Sequence, residues 1–187
     1  MNSLKTDKKT LCTSLEKKGF KIEETKYAFE GFIIENPEGI FDIEEYKDGY
    51  FAIQDESSML VAQIMNPKEG SLVLDVCSAP GGKTTHIAQI MKNSGRIIAR
   101  DIYEHKLDLV KENAMRLGVD IIETEIYDGL KIDENLISSI DYCLVDAPCS
   151  GLGLIRRKPD IKWNRNEDDI SNLKELQYLI LSNTSKY

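Results

Sequence analysis

The stretch LVLDVCSAPGGKT, residues 72–84, decides the fold of this chain. An apolar run ends in an acid and continues into a Pro-Gly-Gly turn, and the polar start of a helix follows. Glycines allow a ligand to approach the backbone closely, and the free N–H groups at a helix N-terminus favour anionic or electron-rich groups. The stretch therefore predicts a strand, a turn and a helix that hold a ligand against backbone amides.

Short apolar runs alternate with helical patterns from residue 71 onward. The runs LVLDV, RIIARD, DIIETEI and IDYCLVD predict four strands, and KTTHIAQIM and EHKLDLVKENAMRLG predict helices between them. This alternation is typical of βαβ units with a parallel sheet, which binds ligands at the carboxyl ends of its strands. We therefore predict an α/β fold with Asp101, Asp128 and Asp146 at that edge, and with Cys143 inside a strand as part of the core.

Residues 1–49 predict a small α+β unit in front of this sheet. Residues 7–18 have a helical pattern that Gly19 closes, and two runs rich in β-branched and aromatic residues follow, FKIEETKYAF and GFIIENP. We place a domain boundary near residues 47–49. Residues 50–187 then form the main domain, which opens with the helical pattern FAIQDESSMLVAQIM.

The length and composition predict a globular protein. A chain of 187 residues with 41% hydrophobic content can bury one full core and a small appendage. No run approaches the roughly 18 apolar residues of a membrane span, and the first residues do not resemble a signal peptide, so we expect a cytoplasmic protein without a membrane partner. The four cysteines lack C-x-x-C spacing, which argues against disulfides and against a metal site.

The net charge of −8 argues against indiscriminate nucleic-acid binding over the whole surface. Two local runs are nevertheless basic, with six lysines against two acids in residues 1–21 and five basic residues against one acid in residues 154–166. Arg156, Arg157 and Lys158 are the candidates for RNA phosphate contacts, because they follow the last predicted strand. We expect the lone Trp163 to anchor this loop on the core rather than to stack on a base.

The turn also resembles a phosphate-binding loop, G-x-x-x-x-G-K-[ST], at residues 82–84. Cys77 stands where the first glycine of that motif belongs, and Pro80 removes an amide that a phosphate cradle would use. Asp101, about 20 residues after the turn, is placed to accept hydrogen bonds from ribose hydroxyls. A nucleoside cofactor therefore fits better than a triphosphate, and a P-loop-like nucleotide-binding protein is the less favoured alternative.

The last predicted strand continues into DAPCSG, residues 146–151. With CSAPGGKT, QDESSML and the downstream RRKPDIKW, this motif makes the chain resemble the RNA (cytosine-5) methyltransferase family, in particular its bacterial members that act on small-subunit ribosomal RNA. The likeness covers nearly the entire chain. It implies a Rossmann-like S-adenosylmethionine-dependent methyltransferase sheet, preceded by a linker unit that contacts RNA.

The resemblance also implies site residues. The cofactor would be S-adenosyl-L-methionine, with Asp101 on the ribose hydroxyls and Asp128 near the adenine. Asp146 would lie between the cofactor and a flipped cytosine, where it stabilises the covalent adduct near N3. The turn residues that would line the methionine and ribose part are Cys77, Ser78, Ala79, Pro80, Gly81, Gly82 and Lys83.

The family uses two cysteines, and this sequence matches one of them. A thiolate adds to C6 of the flipped cytosine so that C5 can attack the methyl sulfonium. Cys149 matches the cysteine that helps release the adduct, whereas the attacking cysteine belongs to a T-C motif that this sequence lacks. We expect that cysteine beyond Tyr187, so that the chain is a partial enzyme that also lacks an N-terminal RNA-binding domain. The alternative is a non-catalytic module that binds S-adenosylmethionine or RNA without turnover.

Overall fold

The computed structural model describes residues 1–163 and 166–187 of the chain. Its first unit is a two-stranded antiparallel sheet with a helix packed against it. Leu11 and Leu15 of the helix share a small buried core with Phe51, because both leucines lie on one helical face. The elements of this unit are α1 (Lys8–Lys17), β1 (Lys21–Glu24), β2 (Phe32–Glu35) and α2 (Glu44–Lys47).

The main domain is a parallel sheet with helices on both faces, which confirms the predicted α/β fold class. The helices are α3 (Glu56–Met65), α4 (Gly82–Ile90), α5 (Glu104–Leu117) and α6 (Glu167–Thr184), and the strands are β3 (Leu72–Asp75), β4 (Arg96–Asp101), β5 (Ile122–Ile126) and β6 (Tyr142–Leu144). The strand order is β5-β4-β3-β6. β4 and β5 thus lie on one side of β3, and β6 lies on the other side. Open parallel sheets bind ligands at such a switch point, between β3 and β6.

Alternate side chains of the inner strands pack on opposite faces of the sheet. Val73 and Ile97 share a core with helices α3, α4 and α5, whereas Leu74 and Ile98 pack against Ile180 of α6. Continuous apolar runs such as LVLDV fit this arrangement, because a strand that is covered on both faces needs apolar side chains on both.

Hydrogen bonds fix the first unit to the end of α5. The Asn2 side chain donates from Nδ2 to Gly49 O and to Leu117 O, both at 2.8 Å. Lys5 Nζ donates to Arg116 O at 2.8 Å, which places a cation at the C-terminus of a helix. The predicted boundary at residues 47–49 stays a prediction, and the core of the first unit extends past it.

The expectation that Cys143 lies in the core is wrong. Cys143 is exposed although it pairs with Leu74 in the sheet. β6 is the outer strand of the described sheet, and α6 covers the inner strands, so this position at the edge lacks a cover. In residues 1–163 and 166–187 no helix is both long and apolar enough to cross a bilayer.

Candidate active site

Main-chain hydrogen bonds tie the turn after β3 to the neighbouring strand β4. The Ser78 N–H donates to Arg100 O at 2.8 Å, and the Ser78 hydroxyl donates to the same oxygen at 3.1 Å. A cis peptide bond joins Ala79 to Pro80, and the Gly81 N–H donates to Ser78 O at 2.8 Å. The turn is thus held at the carboxyl edge of the sheet, where the sequence predicts a ligand site.

The two glycines of the turn have different structural roles. Gly81 has a φ of +98°, and a Cβ at this position would lie 3.1 Å from the Val110 Cα of α5. A Cβ on Gly82 would meet only side-chain atoms of Gln54, at 3.8 Å or more. The backbone therefore requires glycine at position 81. Gly82 and Lys83 begin α4, whose first N–H groups have no partner within the helix, and both line a cavity.

Asp75 is a residue of the site that the sequence analysis missed. It ends β3, is 1% exposed, and accepts a hydrogen bond from the Thr84 hydroxyl at 2.7 Å. Its other oxygen, Oδ1, is buried without a hydrogen-bond partner among the described residues. Burial raises the pKa of the Asp75 carboxyl to about 7, although the hydrogen bond from Thr84 opposes this shift. An acid at the end of an apolar strand was the signal that could have identified it.

Two neighbouring cavities follow the carboxyl edge of the sheet, and both are lined by Cys77. The larger has a volume of about 660 Å³ and includes Asp101 and Asp128 in its wall. The smaller has a volume of about 180 Å³ and includes Asp75 and Asp146. The structure therefore brings the acids at the ends of β3 and β4 and those after β5 and β6 to one continuous region. The predicted turn residues that line the smaller cavity are Cys77, Ser78, Ala79, Pro80, Gly82 and Lys83.

Asp101 and Asp128 are both held by the loops that they begin. Asp101 Oδ1 accepts a hydrogen bond from the Tyr103 N–H at 3.1 Å, and Asp128 Oδ1 accepts one from the Leu130 N–H at 3.0 Å. In each carboxylate Oδ2 has no hydrogen bond within the described part of the chain. Both aspartates thus serve as caps of their loops and also present an acceptor at the larger cavity.

The DAPCSG segment begins with an ion pair. Lys83 Nζ donates to Asp146 Oδ2, and the Asp146 side chain is about half exposed. Further along the segment, Gln177 of α6 donates from Nε2 to Pro148 O at 2.7 Å, and Cys149 is exposed. The two thiols near the cavities therefore differ, because Cys77 is partly buried and burial raises its pKa to about 12.

The basic segment after DAPCSG lies on the surface. Arg157 forms two hydrogen bonds with the Asp55 carboxylate, at 2.8 and 3.1 Å, whereas Arg156 and Lys158 are exposed and have no ion-pair partner within residues 1–163 and 166–187. The expectation for Trp163 is wrong, because its side chain is 78% exposed and Lys162 lies 4.8 Å from its ring centre. Arg165, the last basic residue of this run, lies outside the described residues.

Comparison with protein families gives one match that covers most of the main domain. Residues 62–186 match the family model described as 16S rRNA methyltransferase RsmB/F. This range contains every strand of the parallel sheet and both the CSAPGGKT and DAPCSG motifs. Among the described residues, no three His, Cys, Asp or Glu side chains converge in an arrangement that could hold a metal ion.

Individual proteins are similar over nearly the whole chain. A probable ribosomal RNA small subunit methyltransferase B from Bacillus subtilis is 42% identical over 182 residues, which are 97% of this chain and 40% of that protein. The human 28S rRNA (cytosine(4447)-C(5))-methyltransferase is 37% identical over 96% of this chain and 22% of its own length. The crystal structure of a methyltransferase homologue from Pyrococcus horikoshii superposes with a TM-score of 0.86 at 36% identity, over 98% of this chain and 57% of that one. The chain thus spans less than half the length of these two named relatives.

Proposed function

The chain belongs to the 16S rRNA methyltransferase RsmB/F family, and from this premise we propose that it serves methyl transfer from S-adenosyl-L-methionine to C5 of a cytosine in small-subunit ribosomal RNA. The names of the bacterial and human relatives support a ribosomal RNA substrate and the C5 position. The observation that carries the proposal is the pair of cavities lined by Cys77, which extends from Asp128 to Asp146.

The residues of these cavities fit the cofactor. The larger cavity has the size of an ordinary small-molecule site, and Asp101 and Asp128 each offer a free carboxylate oxygen to the hydroxyl and amino groups of a nucleoside. The smaller cavity contains Asp75, whose unpartnered Oδ1 can accept a hydrogen bond from an ammonium group. The left-handed Gly81 allows the turn to pass close to the ligand.

In the proposed reaction the cofactor supplies the methyl group, and residues of the chain hold the target base. When bound, S-adenosylmethionine supplies a methyl group activated by a sulfonium. Asp146, which Lys83 holds by an ion pair, binds the N3 side of the flipped cytosine. A thiolate adds to C6 and makes C5 nucleophilic, and after methyl transfer the C5 proton is removed and the thiolate leaves. Asp146 keeps the ring in place by its N3 side through these steps.

The thiols of the chain differ in their suitability for this reaction. Cys77 stays protonated at neutral pH because burial raises its pKa to about 12, so it contacts the cofactor and does not attack the base. Cys149 is exposed at the DAPCSG segment, and we assign it to the release of the adduct. The sequence contains no T-C pair, to which the resemblance assigns the attacking thiol. A second candidate function is a module that binds the cofactor and RNA without turnover.

Calorimetric titration of the full chain with S-adenosylmethionine tests cofactor binding. We expect a saturable heat, and we expect Asp101→Asn to lower the affinity by roughly 10- to 100-fold, because a charged acceptor is lost. Asp42→Asn, which changes an exposed acid outside both cavities, should leave the affinity unchanged. The absence of a binding heat in the unchanged chain would contradict the proposed cofactor site.

Incubation with methyl-labelled cofactor and 16S ribosomal RNA separates the two candidate functions. We expect little or no label in the RNA, because residues 1–187 contain no T-C pair, to which the resemblance assigns the attacking thiol. Rapid labelling that Cys149→Ala abolishes would instead identify Cys149 as the nucleophile and would exclude the non-catalytic module.

A further inference from the structure

A further groove lies beside the candidate active site, between the first unit and the N-terminus of α3. It has a volume of about 360 Å³, and we call it the flanking groove. Its lining includes Ile33 of β2, Ile53, Gln54, Asp55 and Arg157. Ile33 and Ile53 are 46% and 57% exposed, so that the groove presents apolar side chains to solvent. A volume of this size accommodates a planar ring of a few heavy atoms.

The flanking groove adjoins the cavity that contains Asp146. Ile53 and Gln54 line both the groove and the smaller cavity, so these two residues form a common wall. If the target cytosine occupies the cavity at Asp146, the nucleotides on either side of it are covalently held near this wall. The groove is therefore within reach of the RNA that the smaller cavity binds.

The common wall carries polar groups without protein partners. Ile53 and Gln54 belong to no helix or strand, and their main-chain N–H groups have no hydrogen bond with any described residue. The Gln54 side-chain amide, which can both donate and accept, is also without a hydrogen-bond partner in the described part of the chain. Such groups match the donor and acceptor edges of an unstacked base in single-stranded RNA.

The charges around the flanking groove are compatible with a polyanion. The Asp55 carboxylate is paired with Arg157, and Glu56 Oε1 accepts hydrogen bonds from two main-chain N–H groups of the first unit. Arg156 and Lys158 stand next to Arg157 in the chain, are exposed, and have no ion-pair partner among the described residues. Asp55 and Glu56, the acids that line the groove, thus have partners within the protein, whereas Arg156 and Lys158 remain available to bind phosphates.

We propose that the flanking groove binds the base of a nucleotide adjacent to the target cytosine, so that it contributes to the choice of RNA sequence. The inference rests on the proposed function. The base packs against Ile33 and Ile53, and its edge meets the free polar groups of Ile53 and Gln54. An RNA that lacks this base should therefore bind with lower affinity, and the size of this loss should depend on the two isoleucines.

A thermodynamic cycle between protein and RNA variants tests this proposal. The probes are fluorescein-labelled single-stranded RNA heptamers with one central cytosine, in which the nucleotide before or after the cytosine is either uridine or abasic. Fluorescence anisotropy measures their affinity for the full chain with S-adenosylmethionine present. For one of the two positions we expect the abasic change to weaken binding at least about fivefold. In Ile33→Ala and Ile53→Ala this penalty should fall to less than half its size.

The control is Ile64→Ala, which removes the same atoms from an isoleucine of α3 that is 81% exposed and does not line the groove. It should keep the full abasic penalty. Equal penalties in the unchanged chain, Ile33→Ala and Ile53→Ala would overturn the proposal, as would the lack of a penalty at both positions. In those cases the cofactor and the heptamers still bind, so the proposed function survives. Failure of the unchanged chain to bind cofactor and RNA would instead refute both.

Discussion

The proposed cofactor side and the proposed RNA side of the candidate active site differ in how the chain fixes them. On the cofactor side, Ser78 is tied to the end of β4, Gly81 packs against α5, and Asp75 is buried. On the RNA side, the segment after DAPCSG is exposed, and Arg157 meets Asp55 at the surface. A small cofactor needs preorganised groups, because each contact must contribute much of the affinity, whereas RNA brings many phosphates that exposed cations can bind.

The largest expected effect is on the cofactor side, from Gly81→Ala. The left-handed φ is costly for alanine, and the new Cβ would lie 3.1 Å from the Val110 backbone. We expect the free energy of unfolding to fall by about 3–5 kcal/mol, as measured by urea denaturation. Gly153→Ala is the matched change on the RNA side, where a Cβ meets no atom within 4 Å. A similar loss in both variants would remove the contrast between the two sides.

A smaller effect is expected from the buried carboxyl of Asp75. Since burial raises its folded pKa to about 7, the folded chain binds the proton more tightly than the unfolded chain. The resulting stability is fully present below the unfolded pKa and is lost as the pH rises through about 7. Relative to Asp75→Asn, the unchanged chain should therefore lose stability by up to about 4 kcal/mol between pH 4 and pH 8. Urea denaturation across this range measures the difference, and a constant difference would show that the carboxyl is solvated.

The smallest expected effect is on the RNA side. Arg156→Ala should lower the affinity for the uridine heptamer by a few fold and reduce the slope of log affinity against log salt by about 0.7, because one phosphate contact to a single strand is lost. The control is Lys92→Ala. Lys92 is exposed just beyond the end of α4, where it pairs with Glu69, and its removal should change neither the affinity nor the salt dependence. Unfolding stability should be the same in all three proteins, and a large loss in Arg156→Ala would mean that this segment is fixed like the cofactor side.

The sequence predicted the parts of the fold that depend on local pattern. The strand, turn and helix of residues 72–84 lie where the sequence places them, and the family resemblance found from CSAPGGKT and DAPCSG is confirmed. Asp101 and Asp128 reach one cavity because parallel strands end at a common edge. The assigned roles of these residues, the domain boundary and the cytoplasmic location stay predictions.

Contacts between distant segments could not be predicted in this way. Arg157 pairs with Asp55, a residue 102 positions away in the chain. The basic run suggested free cations, but one of its arginines is therefore held in an ion pair. The exposure of Cys143 depends on which strand is at the edge of the sheet, and the exposure of Trp163 depends on the path of a loop. Local composition contains neither kind of information.

The hydrogen bond from Asn2 to Leu117 O also constrains how the chain is made. The two residues are 115 positions apart, and ribosomes add about 5–20 residues per second. The first unit, whose core extends to Phe51, is therefore complete roughly 3–13 s before the end of α5, its docking surface, has been synthesised. During that interval its exposed apolar side chains depend on its own small core, or on a chaperone, for protection from aggregation.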